Sequence, residues 1–343
     1  MAYSVIKKPS DYFNTVLYSG DGTSNRSITG VNFQPDLVWI KNRNSTNNHQ
    51  WVDSVRGLFR LGSDSSLAEA SVSGAFNSFD SDGFNVTEEA NWEFNNSGKT
   101  YASWNWLGAN GTVANTDGSI SSTVSANTTS GFSIVSWTGT GANATIGHGL
   151  GAEPKMIFLK IRTGTNNWQV YNKSIGSGNA LFLNTTDASS SNTGWQSTDA
   201  TSSFFYVSGG GAVNGSGQDM IAYCFAEKQG FSKFGSYVGN GSTDGTFVYT
   251  GFKPAFTLIK PTSISGDWRM HDNKRNSFNV LTNTLKPNSS GTDDVTSGGL
   301  LDYTSNGFKW RTNNTYSNGS GVSFIYMCFA EEPLVGDNPA TAR

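Results

Sequence analysis

The stretch GFKPAFTLIK at 251–260 decides the fold, because nearly the same phrase occurs three times in the chain. The other two occurrences are NFQPDLVWIK at 32–41 and GAEPKMIFLK at 151–160. In each phrase the proline and the closing lysine are separated from their equivalents by 119 and then 100 residues. The equivalent positions are Pro35, Pro154 and Pro254, and Lys41, Lys160 and Lys260. This constant register indicates three copies of one structural unit.

The conserved spacing extends beyond the phrase and defines the organisation of the chain. A glycine pair precedes it in YSGDG, WTGTG and YVGNG, and each copy ends in a strand-like segment, YASWNWLG, MIAYCFAE or FIYMCFAE. Copy one covers 13–108, copy two 131–228 and copy three 231–333. The segment 1–12 precedes the copies and the tail 334–343 follows them. Between copies one and two, 109–130 is rich in Gly, Ser, Thr and Asn, a composition that predicts a flexible or extended linker.

Composition places the chain among all-β proteins. It has 343 residues, of which 13% are aromatic and 14% charged, and 40 are glycine. Short aromatic and β-branched runs alternate with clusters of Gly, Asn, Asp and Ser, which is typical of strands and tight turns. No segment shows a sustained helical period. With roughly seven or eight short strands per copy, we predict three tandem homologous β-sandwich domains of about 100 residues.

The repeated phrase predicts a central strand in each copy. Proline fits the first position of a strand because it cannot donate to the ladder. The runs DLVWIK, KMIFLK and AFTLIK are apolar nearly throughout, so we expect strands buried on both faces. The closing lysine is interpreted as the return to solvent. Copies two and three are joined only by KQG at 228–230, which favours a rigid pair, and whether all three copies pack together stays open.

Charge and hydropathy exclude several functional classes. The formal net charge is −3, and the basic clusters KNR (41–43) and HDNKR (271–275) are too small for a phosphate footprint, so we expect no nucleic-acid partner. No apolar run reaches the roughly 18 residues of a membrane-spanning helix, so membrane insertion is not expected. The first residues lack the apolar core of a secretory signal, which predicts synthesis in a cytoplasm. Cys224 and Cys328 occupy equivalent positions, which predicts buried free thiols rather than a disulfide.

Catalytic chemistry finds little support in the sequence. The three histidines, His49, His148 and His271, share no repeat position, and no metalloprotease, nucleophile-elbow, phosphate-loop or C-x-x-C motif occurs. We therefore expect no enzymatic activity, no catalytic residue and no cofactor. Asp80 and Asp82 in DSDG offer alternating carboxylates before a glycine, a weak calcium candidate. A hairpin turn is favoured there, because the matching segment of copy three is TSNG and no bidentate Glu follows.

Three tryptophans are the remaining candidates for a site. Trp51, Trp168 and Trp268 lie eight to ten residues after the repeat lysine. Aromatic faces stack on the C–H groups of sugars, and neighbouring polar residues bind hydroxyls, so these residues are the candidate glycan contacts. A tryptophan that recurs in three units is also typical of a core-closing residue. Core packing is the favoured interpretation.

Several long phrases resemble a known family. KPSDYFNTVLYSGDG, ITGVNFQPDLVWIKNR, FSKFGSYVGNGSTDGTFVYTGFKPAFTLIK and FIYMCFAEEP are similar to segments of virion proteins from marine, cyanophage-like bacteriophages. Those proteins carry tandem copies of this domain, often end in -AR and are usually described as structural or tail-fibre-like. The resemblance covers 8–343 and carries over no active-site residues. Copy one departs from the pattern, with Asn105 where the other copies have cysteine.

The resemblance implies a non-enzymatic virion structural protein, located on the particle as a capsid decoration or a tail-fibre component. Its partners would be other virion proteins, and a homo-oligomer stays open. The alternative is a carbohydrate-binding adhesin that recognises a host surface glycan. A glycan depolymerase ranks last, because it requires carboxylates that converge across a groove.

Overall fold

The computed structural model of the protein describes residues 4–90, 93–295, 297–336 and 338–341. Its regular structure is almost entirely antiparallel β-sheet. Two four-residue α-helices accompany the strands, α1 (Gly211–Asn214) and α2 (Thr315–Asn318). Short 3-10 helices lie at Pro9–Asp11, Lys173–Ile175 and Ser297–Gly299. The predicted all-β class is confirmed.

Copy one forms a large sheet and a small sheet. Its strands are β1 (Phe13–Ser19), β2 (Arg26–Ile28), β3 (Leu37–Asn42), β4 (Gln50–Asp53), β5 (Phe59–Gly62), β6 (Ala70–Ser71), β7 (Phe76–Asp80), β8 (Gly83–Val86) and β9 (Thr100–Trp106). The large sheet has the order β1-β9-β3-β4-β5-β6, and the small sheet has the order β2-β8-β7. The last strand of the copy thus lies between the first strand and the strand of the repeated phrase.

Copy two repeats this order and adds two strands from the preceding segment. Its strands are β10 (Val113–Asn115), β11 (Ser122–Asn127), β12 (Phe132–Thr138), β13 (Ala144–Gly147), β14 (Pro154–Ile161), β15 (Gln169–Asn172), β16 (Asn179–Phe182), β17 (Ser190–Ser191), β18 (Phe204–Val207) and β19 (Asp219–Ala226). The large sheet has the order β10-β11-β12-β19-β14-β15-β16-β17, and β13 pairs with β18 in the small sheet.

Copy three has the same plan. Its strands are β20 (Ser232–Val238), β21 (Phe247–Tyr249), β22 (Phe252–Pro261), β23 (Arg269–Asp272), β24 (Leu301–Thr304), β25 (Gly307–Trp310) and β26 (Ser323–Pro333). The large sheet has the order β20-β26-β22-β23, and the small sheet has the order β21-β25-β24.

The strands of the repeated phrase are buried on both faces, as their apolar composition predicts. Successive side chains of a strand point to opposite faces of the sheet. In β14, Ile157 and Leu159 pack with the small sheet of copy two, whereas Met156 and Phe158 point the other way. The same alternation occurs in β3 and β22. Each copy is therefore sandwich-like, with a second apolar face on its large sheet.

These second faces meet in one core shared by all three copies. The equivalent residues Trp106, Phe225 and Phe329 lie at its centre. Their ring centroids are 6.2 Å apart for Trp106 and Phe225, 5.7 Å for Trp106 and Phe329, and 6.0 Å for Phe225 and Phe329. Because each ring of this aromatic triad contacts both others, the three copies surround an approximate threefold axis.

Main-chain hydrogen bonds close the ring around this axis. At each junction between copies, an amide of one copy donates to the carbonyl two residues after the repeat lysine of the next copy. The bonds are Glu69 to Arg162 at junction 1/2 (2.8 Å), Ser189 to Thr262 at junction 2/3 (2.9 Å) and Asp293 to Arg43 at junction 3/1 (2.9 Å). The pattern is cyclic, so every copy uses the same pair of surfaces.

The shared core changes the predicted domain organisation. Copies two and three do not form a pair apart from copy one, because copy one contributes to the same apolar cluster and contacts both neighbours. Three separable tandem domains are therefore not confirmed. The sequence repeat corresponds to a repeated sheet order within one packed body.

The segment 109–130, predicted to be a flexible or extended linker, contains two extended strands that join the sheet of copy two. Strand β11 pairs with β12 from Asn127↔Phe132 to Thr123↔Ser136, and β10 pairs with β11 in turn. Val124 of β11 is 2% exposed and belongs to the core of copy two. The segment has few large side chains, but it alternates buried and exposed residues and extends the sheet at its edge.

The described residues before copy one, 4–12, also pack against the body. Ile6 belongs to the shared core, and the ring of Tyr12 lies 6.1 Å from that of Phe231. Within the described ranges, no helix has the length and apolar character needed to cross a membrane.

Candidate functional site

The three candidate tryptophans lie inside the protein. Trp51, Trp168 and Trp268 have exposed fractions of 1%, 0% and 0%. Trp51 packs in the shared core with its ring centroid 5.1 Å from that of Trp168, and Phe158 lies 6.4 Å from Trp268. No ring face is free to stack on a sugar, so the burial of these residues contradicts their candidate role as glycan contacts. Their role is core packing, the interpretation that the sequence favoured.

The strand registers also correct the equivalence of these residues. Gln50 pairs with Ile40 and Gln169 with Leu159, so the position of Trp168 and Trp268 corresponds to His49 in copy one. The indole N–H of Trp168 donates to the carbonyl of Gly62 in copy one (2.8 Å). The indole N–H of Trp268 donates to the carbonyl of Phe182 in copy two (2.8 Å). These residues therefore connect neighbouring copies.

A buried ionic network spans junction 1/2. The Arg56 guanidinium donates to Asp53 (2.5 Å) and, across the junction, to the hydroxyl of Tyr223 (3.1 Å). The Tyr223 hydroxyl in turn donates to Asp53 (2.7 Å). Both charged side chains are fully buried. At the edge of the network, Glu69 accepts two bonds of 2.9 Å from Arg162.

Junction 3/1 has the same network at the equivalent positions. Arg275 donates to Asp272 (2.5 Å) and to Asp293 (2.7 Å), and Arg43 donates to Asp293 (2.8 Å). The indole N–H of Trp104 takes the place of the tyrosine hydroxyl and donates to Asp272 (3.1 Å). Each buried charge is thus paired with a buried partner of opposite sign, as charge burial requires.

Junction 2/3 lacks the whole network. The positions of the Asp–Arg pair hold Asn172 and Ile175, and the cross-junction residue is Met327. Ser189 and Thr262 replace the outer carboxylate and arginine. Met327 belongs to the shared core, and the partly buried Ile175 packs against it. Because every charged member of the network is absent together, none of them is left buried without its partner.

The repeat lysines do not return to solvent, contrary to the prediction. Lys41, Lys160 and Lys260 are all 0% exposed. They follow the axis-facing residues of their strands at an interval of two, so their side chains lie on that same face of the sheet. Lys260 donates to the carbonyl of Gly266 (2.6 Å) and to that of Thr186 in copy two (2.9 Å). Burial lowers the pKa of each lysine to about 8.

The calcium candidate forms a hairpin, the interpretation that the sequence favoured. Asp80 pairs with Gly83 at the turn between β7 and β8. The Asp82 carboxyl accepts from the amides of Gly30 (3.0 Å) and Asn32 (2.6 Å), and Asp80 accepts from Ser78 (2.6 Å). Across the described ranges, no group of three or more His, Cys, Asp or Glu side chains is arranged to hold a metal ion. Both carboxyls serve local backbone and turn structure.

The histidines and cysteines are buried structural residues. Burial lowers the pKa of His271 to about 3, and its Nε2 lies 3.0 Å from the carbonyl of Gly299. The Nδ1 of His49 accepts from the indole of Trp39 (2.9 Å). Cys224 and Cys328 are free and buried, as predicted, and burial raises the pKa of both thiols. None of these groups lies at a surface where a substrate could reach it.

A surface cleft at junction 2/3 is the best candidate for ligand binding. It has a volume of about 320 Å³ and is lined by Thr186, Ser265, Gly266, Asp267 and Tyr316. Tyr316 is 44% exposed at the start of α2. The cleft combines an exposed aromatic ring, a carboxyl group and the aliphatic hydroxyls of Thr186 and Ser265. No signal in the sequence indicates this cleft, because Tyr316 has no aromatic counterpart in copy two and Thr186 is distant along the chain.

The fold and these contacts define an all-β protein in which three sandwich-like units close around one aromatic core. The family described as domain of unknown function (DUF7483) matches residues 8–333. Because this match covers nearly the whole chain, the protein belongs to that family. Neither the curated proteins nor the solved structures contain a match.

Proposed function

We propose that the protein is a non-enzymatic structural component exposed on a bacteriophage particle. The resemblance of its repeated phrases to virion proteins motivates the proposal. The observation that carries it is the closed ring of three copies around the triad Trp106, Phe225 and Phe329. Such a body offers three related outer surfaces, which suits docking at a threefold or quasi-threefold site of an assembly.

The chemistry of the interior supports a structural role. The histidines, the cysteines and the repeat lysines are all buried and engaged in packing or main-chain contacts. In the cleft at junction 2/3, Asp267 is the one carboxyl among the described lining residues. A glycosidase mechanism uses two carboxyls that flank the scissile bond, so we place the depolymerase hypothesis last.

The test is the protein composition of purified particles. Quantitative mass spectrometry should detect this chain in a fixed ratio to the major capsid protein. Hundreds of copies per particle support a capsid decoration, and a few copies support a tail component. Absence of the chain from gradient-purified particles would refute the proposal. If the chain is present, an electron-microscopy map of the particle would show where its density lies.

The second candidate is a carbohydrate-binding adhesin. It can no longer rest on Trp51, Trp168 and Trp268, because all three are buried. The exposed cleft beside Tyr316 is the specific observation that favours it. An adhesin of this kind would also be part of the particle, so the two candidates differ in ligand binding rather than in location.

A further inference from the structure

The cleft at junction 2/3 is built from three segments that the ring closure brings together. One wall is the loop after β22, with Ser265, Gly266 and Asp267. The second wall is Tyr316 on the first turn of α2, and the third is Thr186 from copy two. Because the cleft requires two copies in contact, it exists only in the assembled ring.

The exposure of Tyr316 is not explained by packing. Asn318 occupies the same position as Asn214 in copy two, since both cap the turn after the glycine pair, so Tyr316 corresponds to Ala212. An alanine serves the same fold position without an aromatic ring. The side-chain oxygen of Asn314 accepts from the amide of Tyr316 (2.9 Å) and fixes the start of the helix. The ring is therefore held at the surface by an ordered backbone.

The glycine beside the ring allows this close approach. A Cβ atom at Gly266 would lie 2.7 Å from Cδ1 of Tyr316 and 2.9 Å from Cγ of Pro261. Any larger residue would displace the ring. The Tyr316 side chain thus lies against the main chain of the loop and presents its remaining surface to the cleft.

The floor of the cleft is fixed by main-chain contacts. The Gly266 amide donates to the carbonyl of Thr186 across the junction (2.7 Å). The buried ammonium of Lys260 donates to the carbonyls of both residues, at 2.6 Å and 2.9 Å. A site whose walls are already ordered loses little conformational entropy when a ligand binds.

The polar groups of the cleft suit a ligand with several hydroxyls. One oxygen of Asp267 accepts from Asn288 (2.8 Å), and the other lies 3.3 Å from the ammonium of Lys286. A carboxylate offers about four lone-pair sites, so these two contacts leave acceptor capacity for a ligand. The hydroxyls of Ser265 and Thr186 are on exposed residues beside it. These groups can donate to and accept from neighbouring hydroxyls.

We propose that this cleft binds one neutral hexopyranose residue of a glycan. The C–H face of the sugar would stack on the Tyr316 ring, and adjacent hydroxyls would bind Asp267 and the hydroxyls of Ser265 and Thr186. The volume of about 320 Å³ is at the small end for ligand pockets and suits a single sugar ring. The Asp267 carboxyl disfavours an acidic sugar. This proposal deepens the adhesin candidate and does not depend on the location of the protein on a particle.

The experiment uses the full chain and four defined probes: the methyl glycosides of glucose, galactose, mannose and N-acetylglucosamine. Saturation-transfer-difference NMR should detect binding of at least one probe, with a dissociation constant on the order of millimolar for so small a ligand. The variant Tyr316→Ala should weaken that binding about tenfold, because the stacking surface is lost. Tyr316→Phe keeps the ring and should stay within about threefold of the parent chain.

A matched control separates the cleft from other exposed aromatics. Tyr249 is 54% exposed on β21 and does not line the cleft, so Tyr249→Ala should leave the affinity unchanged. Thermal melts check that each variant is folded. Failure of all four probes to bind, or equal binding by the parent chain and Tyr316→Ala, would overturn the proposal. Neither result alters the particle composition, which tests the structural role separately.

Discussion

The two ionic junctions and the one apolar junction lead to a specific prediction about coupled substitutions. In the variant Arg56→Ile, junction 1/2 receives the residue found at the equivalent position of junction 2/3. The guanidinium donates to Asp53 (2.5 Å), to the carbonyl of Trp51 (3.0 Å) and to Tyr223 (3.1 Å). All of these contacts are lost while the Asp53 carboxyl stays fully buried.

The expected loss of stability follows from the Asp53 carboxyl, which stays buried without its cationic partner. Removal of one partner of a buried ion pair typically costs about 3–5 kcal/mol. Arg56 and Asp53 are both 0% exposed, so solvent screening does not reduce this figure. Glu69 retains Arg162 and adds little to the effect. We expect Arg56→Ile to lower the free energy of unfolding by about 3–5 kcal/mol.

The triple variant Asp53→Asn, Arg56→Ile, Tyr223→Met reproduces the set found at junction 2/3. It removes the buried charge together with its partners, so no ion is stranded. The main loss is the contact between the rings of Tyr223 and Trp51, whose centroids are 4.8 Å apart. Aromatic pairs of this kind contribute about 0.5–1.5 kcal/mol. We therefore expect the triple variant to be more stable than Arg56→Ile, within about 2 kcal/mol of the parent chain.

Urea unfolding of the parent chain, the three single variants and the triple variant measures these differences. The urea midpoints are compared only between variants that have the same m-value, because a changed m-value indicates a change in the denatured state. If the triple variant is destabilised by the sum of its single substitutions or more, the three positions do not form one interchangeable set, and the argument from the equivalent junctions fails.

Three further predictions concern the buried titratable groups. Because burial lowers the pKa of Lys160 to about 8, the unfolded chain binds more protons than the folded chain above that pH, and stability rises with pH. Between pH 8 and 9.5, Lys160→Met should reduce the increase of the unfolding free energy with pH by at most about 1.4 kcal/mol per pH unit. Urea unfolding at several pH values measures this increase, and an unchanged value would contradict the burial of Lys160. NMR should show neutral His271 at pH 5, whereas an imidazolium there would contradict its pKa of about 3. Cys224 and Cys328 should react with a thiol reagent only after denaturation, and rapid native labelling would contradict their burial.

Much of the fold could be predicted from the sequence because the repeat is regular. The fixed spacing of the proline and lysine identified the central strands, and the apolar run indicated burial on both faces. The shared core was not predicted, although the same strands carry it. Alternating residues such as Ile157 and Phe158 supply two different cores, and the sequence does not say which partner covers the second face.

The site was harder to predict, for physical reasons. Trp168 and Trp268 resembled sugar-stacking residues, but side-chain type alone does not distinguish an exposed ring from one that donates across a junction. Lys260 closes an apolar run and was therefore interpreted as the return to solvent, whereas main-chain carbonyls from two copies accept hydrogen bonds from its ammonium. The cleft at Tyr316 depends on Thr186 from another copy, so it could be found only after ring closure was known.

Differential scanning calorimetry tests the shared core most directly. A chain of 343 residues should absorb roughly 240 kcal/mol on unfolding near 60 °C, at about 0.7 kcal/mol per residue. If the three copies unfold as one body, a single transition will have a van't Hoff enthalpy close to the calorimetric enthalpy. Several transitions, or a van't Hoff enthalpy near one third of the calorimetric value, would show that the copies unfold independently and would contradict the shared core.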